Sequence, residues 1–221
     1  LQKNADFYSA QAYKADFTRK NTVNEINSWV NKNTNGMIKK LVDEIDPLTV
    51  MVLMNALCLE AEWSDPYTDN CVSDGTFKNA KGNLVKAEYM YSQETEYIET
   101  ENATGFVKYY KGGKFAFVAL LPNEGTSIDS YIASLTGKGF LSALNSRKNT
   151  QVNTQMPKFK CEYSNSLVDT LKKMGMSTAF DWDRANFSSM ATLKNENIYI
   201  SDVIHKTFIE VAEKGTRAGA V

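Results

Sequence analysis

The sequence contains one histidine, and its setting limits the chemistry that this residue could perform. His205 lies in the segment V-I-H-K-T at 203–207, in the middle of a largely apolar stretch that predicts a β-strand. A single histidine cannot form a multi-histidine metal site, although it could serve as a general base. The apolar neighbours favour a histidine of the protein core whose ring nitrogens are satisfied by hydrogen bonds.

Other residue types that form enzyme sites are present without the spacing that such sites need. Cys58, Cys71 and Cys161 are far apart and include no C-x-x-C pair, so they are expected to be reduced thiols that serve as small apolar side chains. The chain has no G-x-S-x-G, H-E-x-x-H, P-loop or G-x-G-x-x-G motif, and its carboxylates are scattered. We therefore expect a protein that is not an enzyme and that holds no metal or cofactor.

The charge balance argues against two further classes of function. Across 221 residues the chain has 25 Lys and Arg against 26 Asp and Glu, which gives a net charge of −1. It lacks the basic excess of a nucleic-acid-binding protein. It also has no apolar run that approaches the roughly 20 residues of a membrane-spanning helix. We therefore expect neither a nucleic acid nor a membrane as a partner.

The end of the sequence alternates small residues with one charged residue. If this segment is extended, Thr216, Ala218 and Ala220 share one face, while Arg217 and Gly219 share the other. A face of small, uncharged side chains could enter a packed sheet without a clash or a buried charge, and Arg217 would remain in solvent. A flexible Gly/Ala tail is the alternative interpretation.

These residues are placed by a mixture of helices and strands that is typical of a β-rich α+β fold. Residues 21–33 have the apolar spacing of an amphipathic helix, and residues 37–45 predict a second short helix that ends before Pro47. Residues 48–59 are apolar and rich in branched side chains, which suits a long central strand covered on both faces. Asn55 interrupts this run.

The rest of the chain continues the mixture. Residues 72–122 are expected to be all β, and strands are also predicted for residues 151–163 and 198–211. Helices are predicted for residues 127–144 and 166–174. The longest predicted strands lie far apart in sequence, so a central sheet would be assembled from distant segments.

Several segments match the motifs of one family, in one order and at compatible spacings. Residues 26–38 contain I-N-S-W-V and T-N-G-M-I, similar to the end of a helix F and its T-x-G-x-I turn. Residues 52–63, V-L-M-N-A-L-C-L-E-A-E-W, are similar to V-N-A-x-x-F-K-G-x-W of a central strand. M-P-K-F at 156–159 and N-F-S-S-M at 186–190 are similar to L-P-K-F and D-F-S-G-M. Residues 205–218 are similar to a strand that leads into a reactive-loop hinge. Taken together, these motifs make the whole chain resemble the serpin family.

The resemblance implies a serpin-like α+β fold, with a large central β-sheet A, additional sheets B and C and surrounding helices. Residues 1–221 would form a partial serpin domain that lacks the N-terminal helices, the reactive bond and the C-terminal strands. A serpin traps its protease: an acyl-enzyme forms at the reactive loop, and the cut loop then inserts into sheet A between strands 3 and 5. Insertion completes a sheet that the metastable native state leaves open, and the protease is distorted before deacylation.

The resemblance also implies a reactive-loop hinge at the end of the chain. Its residues would be Gly215, Thr216, Arg217, Ala218, Gly219 and Ala220. Gly215 would be the pivot, because glycine tolerates unusual φ/ψ values. The chain departs from the family at Gly219 and Val221, where alanines are more typical, and at residues 60–61, where Glu-Ala replaces Lys-Gly. Ser189 also replaces a glycine.

Two polar clusters around sheet A are implied in the same way. Asn55 and His205 match the family's shutter, whose hydrogen bonds would break and reform as strands 3 and 5 part. Trp63, Lys158 and Glu213 match the breach, where the loop first enters, and an ion pair between Lys158 and Glu213 is implied. An ordinary core aromatic is the alternative for Trp63.

The expected function is therefore inhibition of a serine endopeptidase, with the chain acting as a suicide substrate through covalent acyl-enzyme trapping and loop insertion. A cysteine protease is a further possible target. The alternative is a non-inhibitory serpin that acts as a carrier, binding protein or chaperone. The resemblance implies a monomer whose partner is the trapped protease, and an extracellular location.

Overall fold

A computed structural model describes residues 2–79, 81–191, 193–194 and 196–221. The described residues form the helices α1 Gln2–Tyr8, α2 Lys20–Asn33, α3 Ile128–Ser134, α4 Gly137–Asn145 and α5 Val168–Leu171. The strands are β1 Leu57–Glu62, β2 Val72–Lys78, β3 Leu84–Glu99, β4 Ala103–Tyr109, β5 Ala116–Pro122, β6 Lys148–Pro157, β7 Phe159–Ser166, β8 Ile204–Ala212 and β9 Gly215–Ala220. The α+β class predicted from the sequence is confirmed.

One sheet contains four strands in the order β1-β9-β8-β7. Strands β8 and β9 form a hairpin around the turn at Glu213 and Lys214. The backbone groups of Lys206 and Val221 exchange two hydrogen bonds of 2.8 Å, which is the pattern of an antiparallel pair. The end of the sequence is therefore a strand with neighbours on both sides, and the alternative of a flexible tail is wrong.

The other sheet has five strands, with β2, β3, β4 and β5 in sequence order and β6 also paired with β3. All of these pairs are antiparallel. The long strand β3 pairs with β2 along its first half and with β4 near its end. A register shift between Glu94 and Glu96 marks an irregularity in the β3–β6 pairing.

The chain divides into two compact units, each with a core of its own. The first comprises Leu1–Leu59, Cys161–Ile209 and Ala218–Val221, and the second comprises Glu60–Lys160 and Glu210–Arg217. In the first, the core residues come from helix α2, the segment after it and strand β8: Val30, Met37, Ile38 and Phe208. In the second, they come from strands β3 and β4 and helix α4: Ile98, Val107 and Ala143.

Helix α2 confirms the first helical prediction, but the short helix expected at residues 37–45 does not form. Residues 37–45 are irregular. Asn27 of helix α2 satisfies backbone groups there, because its Oδ1 accepts from the N–H groups of Leu41 at 2.7 Å and Val42 at 3.1 Å. Its Nδ2 also donates to the Val42 carbonyl at 2.9 Å. A side chain thus supplies the hydrogen bonds that a helix would have supplied.

The long strand predicted for residues 48–59 is wrong over most of its length. Strand β1 begins at Leu57, and residues 51–56, including Asn55, have no regular structure. The expected cover on both faces is also absent at Leu48, Leu53 and Leu57, which are strongly exposed. Hydrophobic character predicted a strand here, but a strand also needs a hydrogen-bonding neighbour, and β1 exists only over six residues, as β9 does.

Three other predicted segments form with different boundaries. The helix expected at residues 127–144 is divided into α3 and α4, and the Ser127 side chain caps α3 by accepting from the Ser130 N–H. The strand expected at residues 151–163 is divided into β6 and β7. The strand expected at residues 198–211 begins only at Ile204.

Candidate functional site at the edge where strand β9 begins

Trp63 directly follows strand β1 and lies at the centre of a buried aromatic cluster. Its side chain is 1% exposed, and its indole Nε1 donates to the Ala212 carbonyl at 2.9 Å. Its ring stacks on the Tyr110 ring with centroids 4.6 Å apart and planes 8° apart, and Phe117 meets it edge-on at 5.9 Å. The Trp63 N–H donates to the Lys214 carbonyl, so the cluster touches the β8–β9 turn directly.

Lys158 and Glu213 form the ion pair that the sequence led us to expect. Lys158 Nζ lies 2.7 Å from Glu213 Oε1 and 3.0 Å from Glu88 Oε2. The hydrogen bond to Glu213, followed by that to Glu88, raises the pKa of Lys158 above its ordinary value. The hydrogen bond from Lys158 lowers the pKa of Glu213. The pair is therefore fully charged at neutral pH and ties strands β3 and β6 to the turn before β9.

A second, deeper pair was not predicted from the sequence. Lys108 of strand β4 is 2% exposed, and its Nζ lies 2.7 Å from Glu94 Oε1. The same ammonium lies 4.5 Å from the centroid of the Tyr67 ring and 5.8 Å from that of Trp63, which is cation–π geometry. The only signal in the sequence was a lysine beside Val107 in an otherwise apolar strand, and its acidic partner lies on another strand.

Thr216 of β9 is buried, as the predicted alternation expects for this position. It is 3% exposed, and its Oγ1 accepts a hydrogen bond of 2.7 Å from the phenol of Tyr110, which is itself 4% exposed. Desolvation raises the pKa of Tyr110, so its hydroxyl stays protonated and can donate at neutral pH. Tyr110 was not predicted from the sequence, because the residue that it contacts is more than a hundred positions away.

Arg217 points to the opposite face and is exposed, as the alternation predicts. Its guanidinium lies 3.2 Å from Glu60 on strand β1 and 3.4 Å from Glu210 on strand β8. One cation on β9 therefore pairs with a carboxylate on each flanking strand. Glu60 is one of the positions at which the chain departs from the motif, and here it supplies the partner for Arg217.

Gly215 is required for a reason that differs from the one expected. Its φ is not positive, so unusual backbone angles do not explain the glycine in this conformation. A Cβ at this position would lie 2.0 Å from the carbonyl oxygen of Ala61 and 2.9 Å from the Glu62 Cα. The close approach of the β1 backbone therefore excludes a side chain.

Gly219 is buried although it lies on the same face of β9 as the exposed Arg217. The segment after helix α2 covers this position, since a Cβ on Gly219 would lie 3.4 Å from Met37 and 3.7 Å from the Thr34 Cβ. Thr34 is itself buried and accepts at Oγ1 from the Ile38 N–H. Ala218 and Ala220 are half-buried, and Val221 packs against the core around Phe208.

The family description "Serpin (serine protease inhibitor)" matches residues 1–221, the whole chain. The chain belongs to the serpin family. An uncharacterized serpin-like protein of Thermococcus kodakarensis is 33% identical over 97% of this chain and 50% of its own length. This chain thus spans about half the length of the curated relatives that it matches.

Solved serpin structures match the fold closely. The thermophilic serpin tengpin in its latent state is 46% identical, with a TM-score of 0.93, over 100% of this chain and 60% of that one. In its native state tengpin gives 42% identity and a TM-score of 0.88, over 97% and 55% of the two chains. Reactive-loop-cleaved human thyroxine-binding globulin is 26% identical, with a TM-score of 0.89, over 99% and 65%.

The two expected serpin shutter residues, Asn55 and His205, do not hydrogen-bond each other in this structure. Asn55 is exposed and lies outside strand β1, and His205 is half-buried at the second position of β8. Within the described part of the chain, neither side chain forms a hydrogen bond. The interpretation of His205 as a hydrogen-bonded core residue in the middle of a strand is therefore wrong in this conformation.

The cysteines, metal-binding groups and helices of this serpin complete the comparison with the sequence analysis. Cys58, Cys71 and Cys161 form no disulfide, and Cys58 and Cys161 are exposed rather than packed as small apolar side chains. Among the described residues there is no cluster of histidine, cysteine or acidic side chains that could hold a metal ion. No helix in the described ranges is long and apolar enough to span a membrane. Serpins are in general protease inhibitors rather than enzymes.

Proposed function

We propose that this protein inhibits a serine endopeptidase as a suicide substrate. The protease serine would attack the carbonyl carbon of one peptide bond in a reactive loop that follows β9, and the bond would break to give an ester-linked acyl-enzyme and the free amine of the following residue. The hinge would then enter between β1 and β8 as strand β9, completing the four-stranded sheet, and would carry the acylated protease with it. A cysteine protease would be trapped through the corresponding thioester.

The position of β9 is the observation that carries this proposal. The segment that resembles a reactive-loop hinge lies as a strand between β1 and β8, which resemble strands 3 and 5 of sheet A. The likeness to tengpin, for which the TM-score is higher with the latent than with the native state, supports the same assignment. A sheet that accepts β9 at this position has the geometry that loop insertion needs.

The side chains of β9 support insertion rather than a rigid, exposed loop. Thr216 packs inward as a small neutral residue, and Gly215 and Gly219 leave room for strand β1 and for Met37. Arg217 avoids burial because it lies on the outer face between two carboxylates. No charged side chain therefore has to lose its hydration when β9 enters the sheet.

A non-inhibitory role is the second candidate, because thyroxine-binding globulin has a closely similar fold. A carrier would use this fold to hold a ligand and would not form a covalent complex with a protease. The same experiment separates the two roles.

The test is to mix the full-length protein with trypsin-, chymotrypsin-, elastase-, subtilisin- and papain-like proteases and to run denaturing gels. A band at the summed mass that survives heat and SDS is the expected result. Thr216→Arg, which places a charge at the buried position, should give cleaved protein and no band, while Thr216→Ser should retain the band. Cleavage by every protease without such a band would contradict inhibition and favour the carrier role.

A further inference from the structure

The contact between Tyr110 and Thr216 joins a residue of β9 to a side chain from a distant part of the same compact unit. The two hydroxyls are 2.7 Å apart, and both residues are almost completely buried. A buried hydroxyl without a partner is costly, so each of these groups depends on the other.

Tyr110 is held in place by groups that do not belong to β9. Its ring stacks on Trp63, and its backbone N–H donates to the Phe115 carbonyl at 3.0 Å. Trp63 and Tyr110 also form an isolated antiparallel bridge. The groups that hold the phenol toward Thr216 therefore lie outside β9.

The buried pair of Lys108 and Glu94 packs beside the stacked rings of Trp63 and Tyr110 and supports them. The Lys108 ammonium lies against the rings of Tyr67 and Trp63, and the Tyr67 N–H donates to the Glu213 carbonyl at 3.0 Å. Glu94 is further fixed by a 2.6 Å hydrogen bond from Ser92. Aromatic rings clamped in this way lose little freedom when they receive a new partner.

We infer that Tyr110 is a positioning residue that receives Thr216 when β9 enters the sheet, and that it stabilises the inserted form selectively. This inference rests on the insertion step of the proposed function. The hydrogen bond forms only when Thr216 is in the sheet. The Tyr110–Thr216 hydrogen bond therefore stabilises the inserted form and does not stabilise the form with β9 outside the sheet.

The test compares melting temperatures of the full-length protein before and after its reactive loop is cut by a protease. Tyr110→Phe removes one oxygen and keeps the ring stack, and Thr216→Val removes the partner hydroxyl at similar volume. Each variant should melt about 1–2 °C below wild type in the cut form, because one net hydrogen bond is lost from a protein about twice as long as this chain. The uncut forms should melt as wild type does.

Two controls make the result specific. Tyr109→Phe removes a neighbouring hydroxyl that donates to Glu96 and not to the hinge. It should therefore not lower the melting temperature of the cut form more than that of the uncut form. Tyr110→Phe combined with Thr216→Val should melt no lower than either single variant, because both remove the same bond. Thr216→Ser, which keeps the hydroxyl, should behave as wild type.

Equal losses in the cut and uncut forms, or fully additive losses in the double variant, would overturn the role of Tyr110 while leaving inhibition untouched. If cutting the wild-type loop gives no rise in melting temperature, β9 does not insert, and this inference fails together with the trapping mechanism. A rise without any covalent protease complex would keep the inference and contradict inhibition alone.

Discussion

Lys108 places a positive charge where water is almost excluded, and its partners offset the cost of burying that charge. Glu94 accepts its hydrogen bond, and two aromatic faces cover the rest of the ammonium. Replacing a buried pair with apolar residues is often neutral, whereas removing one partner leaves a buried charge without compensation. The structure therefore predicts that a single substitution in this pair lowers the free energy of unfolding much more than a double apolar substitution does.

Lys108→Met alone should lower the free energy of unfolding by about 3–5 kcal/mol, since Glu94 is left buried without its partner. Lys108→Met with Glu94→Leu should recover much of the loss. Lys148→Met is the matched control, because Lys148 pairs with Glu99 at a site where both side chains are more than half exposed. Chemical denaturation should show that this control lowers the free energy of unfolding by less than about 1 kcal/mol. Equal effects at the two lysines would contradict the buried-pair interpretation.

Lys158 and Glu213 predict a defined pH dependence. The Glu213 pKa is lowered below its ordinary 4.5, so its contribution is present above pH 4.5 and is lost as pH falls through the lowered pKa. The Lys158 pKa is raised above its ordinary 10.5, so its contribution is present below pH 10.5 and is lost as pH rises through the raised pKa.

Glu213→Gln should therefore cost stability at neutral pH, where both charges are present, and the difference from wild type should shrink in acid. Urea denaturation at pH 7 and at about pH 2 measures both differences. The effect at neutral pH should be modest, since both side chains are partly exposed. A difference that stays constant down to the acid limit would contradict an ionic contribution from Glu213.

At the scale of elements, β9 is held on its outer face by a charge arrangement that spans three strands. Arg217→Glu would place three carboxylates side by side across β1, β9 and β8, which is unfavourable for adjacent strands. We expect a lower melting temperature for the form with β9 in the sheet. Adding Glu60→Lys and Glu210→Lys should restore it, because the pairs are then reversed in sign. Failure of the restored variant to recover would assign the loss to Arg217 packing instead.

The sequence predicted the two faces of β9 because strand alternation follows from local geometry alone. Thr216 and Arg217 lie on the faces that this rule assigns to them. Burial of Gly219 did not follow from the rule, since the cover comes from Met37, far away in sequence. Tyr110 escaped prediction for the same reason: its importance depends on a partner brought near by folding.

Strand boundaries were the weakest part of the sequence interpretation. Residues 48–56 have the apolar character of a strand, yet only Leu57–Glu62 pairs with a neighbour. Asn27 likewise replaced a predicted helix by binding the backbone of Leu41 and Val42. Hydrophobic patterns show which residues favour burial, but they do not show which backbone groups find partners.

For the whole molecule, Gly215 sets whether β9 and β1 can lie side by side. Gly215→Ala would direct a methyl group into the Ala61 carbonyl, so β9 would have to move away from β1. The cost should be at least about 1–3 kcal/mol in the inserted form. The rise in melting temperature on loop cleavage should shrink or vanish in this variant. Gly137→Ala, at a helical site with open space, is the control and should leave the rise unchanged.

The central claim is that β9 enters the sheet between β1 and β8 when the loop is cut. Hydrogen–deuterium exchange of the full-length protein, followed by mass spectrometry of peptides covering Gly215–Ala220 and Leu57–Glu62, measures this directly. The account predicts fast exchange at Gly215–Ala220 before cleavage and strong protection of both segments after it, because their amides become part of one ladder. Exchange that stays fast at Gly215–Ala220 after cleavage would contradict the account.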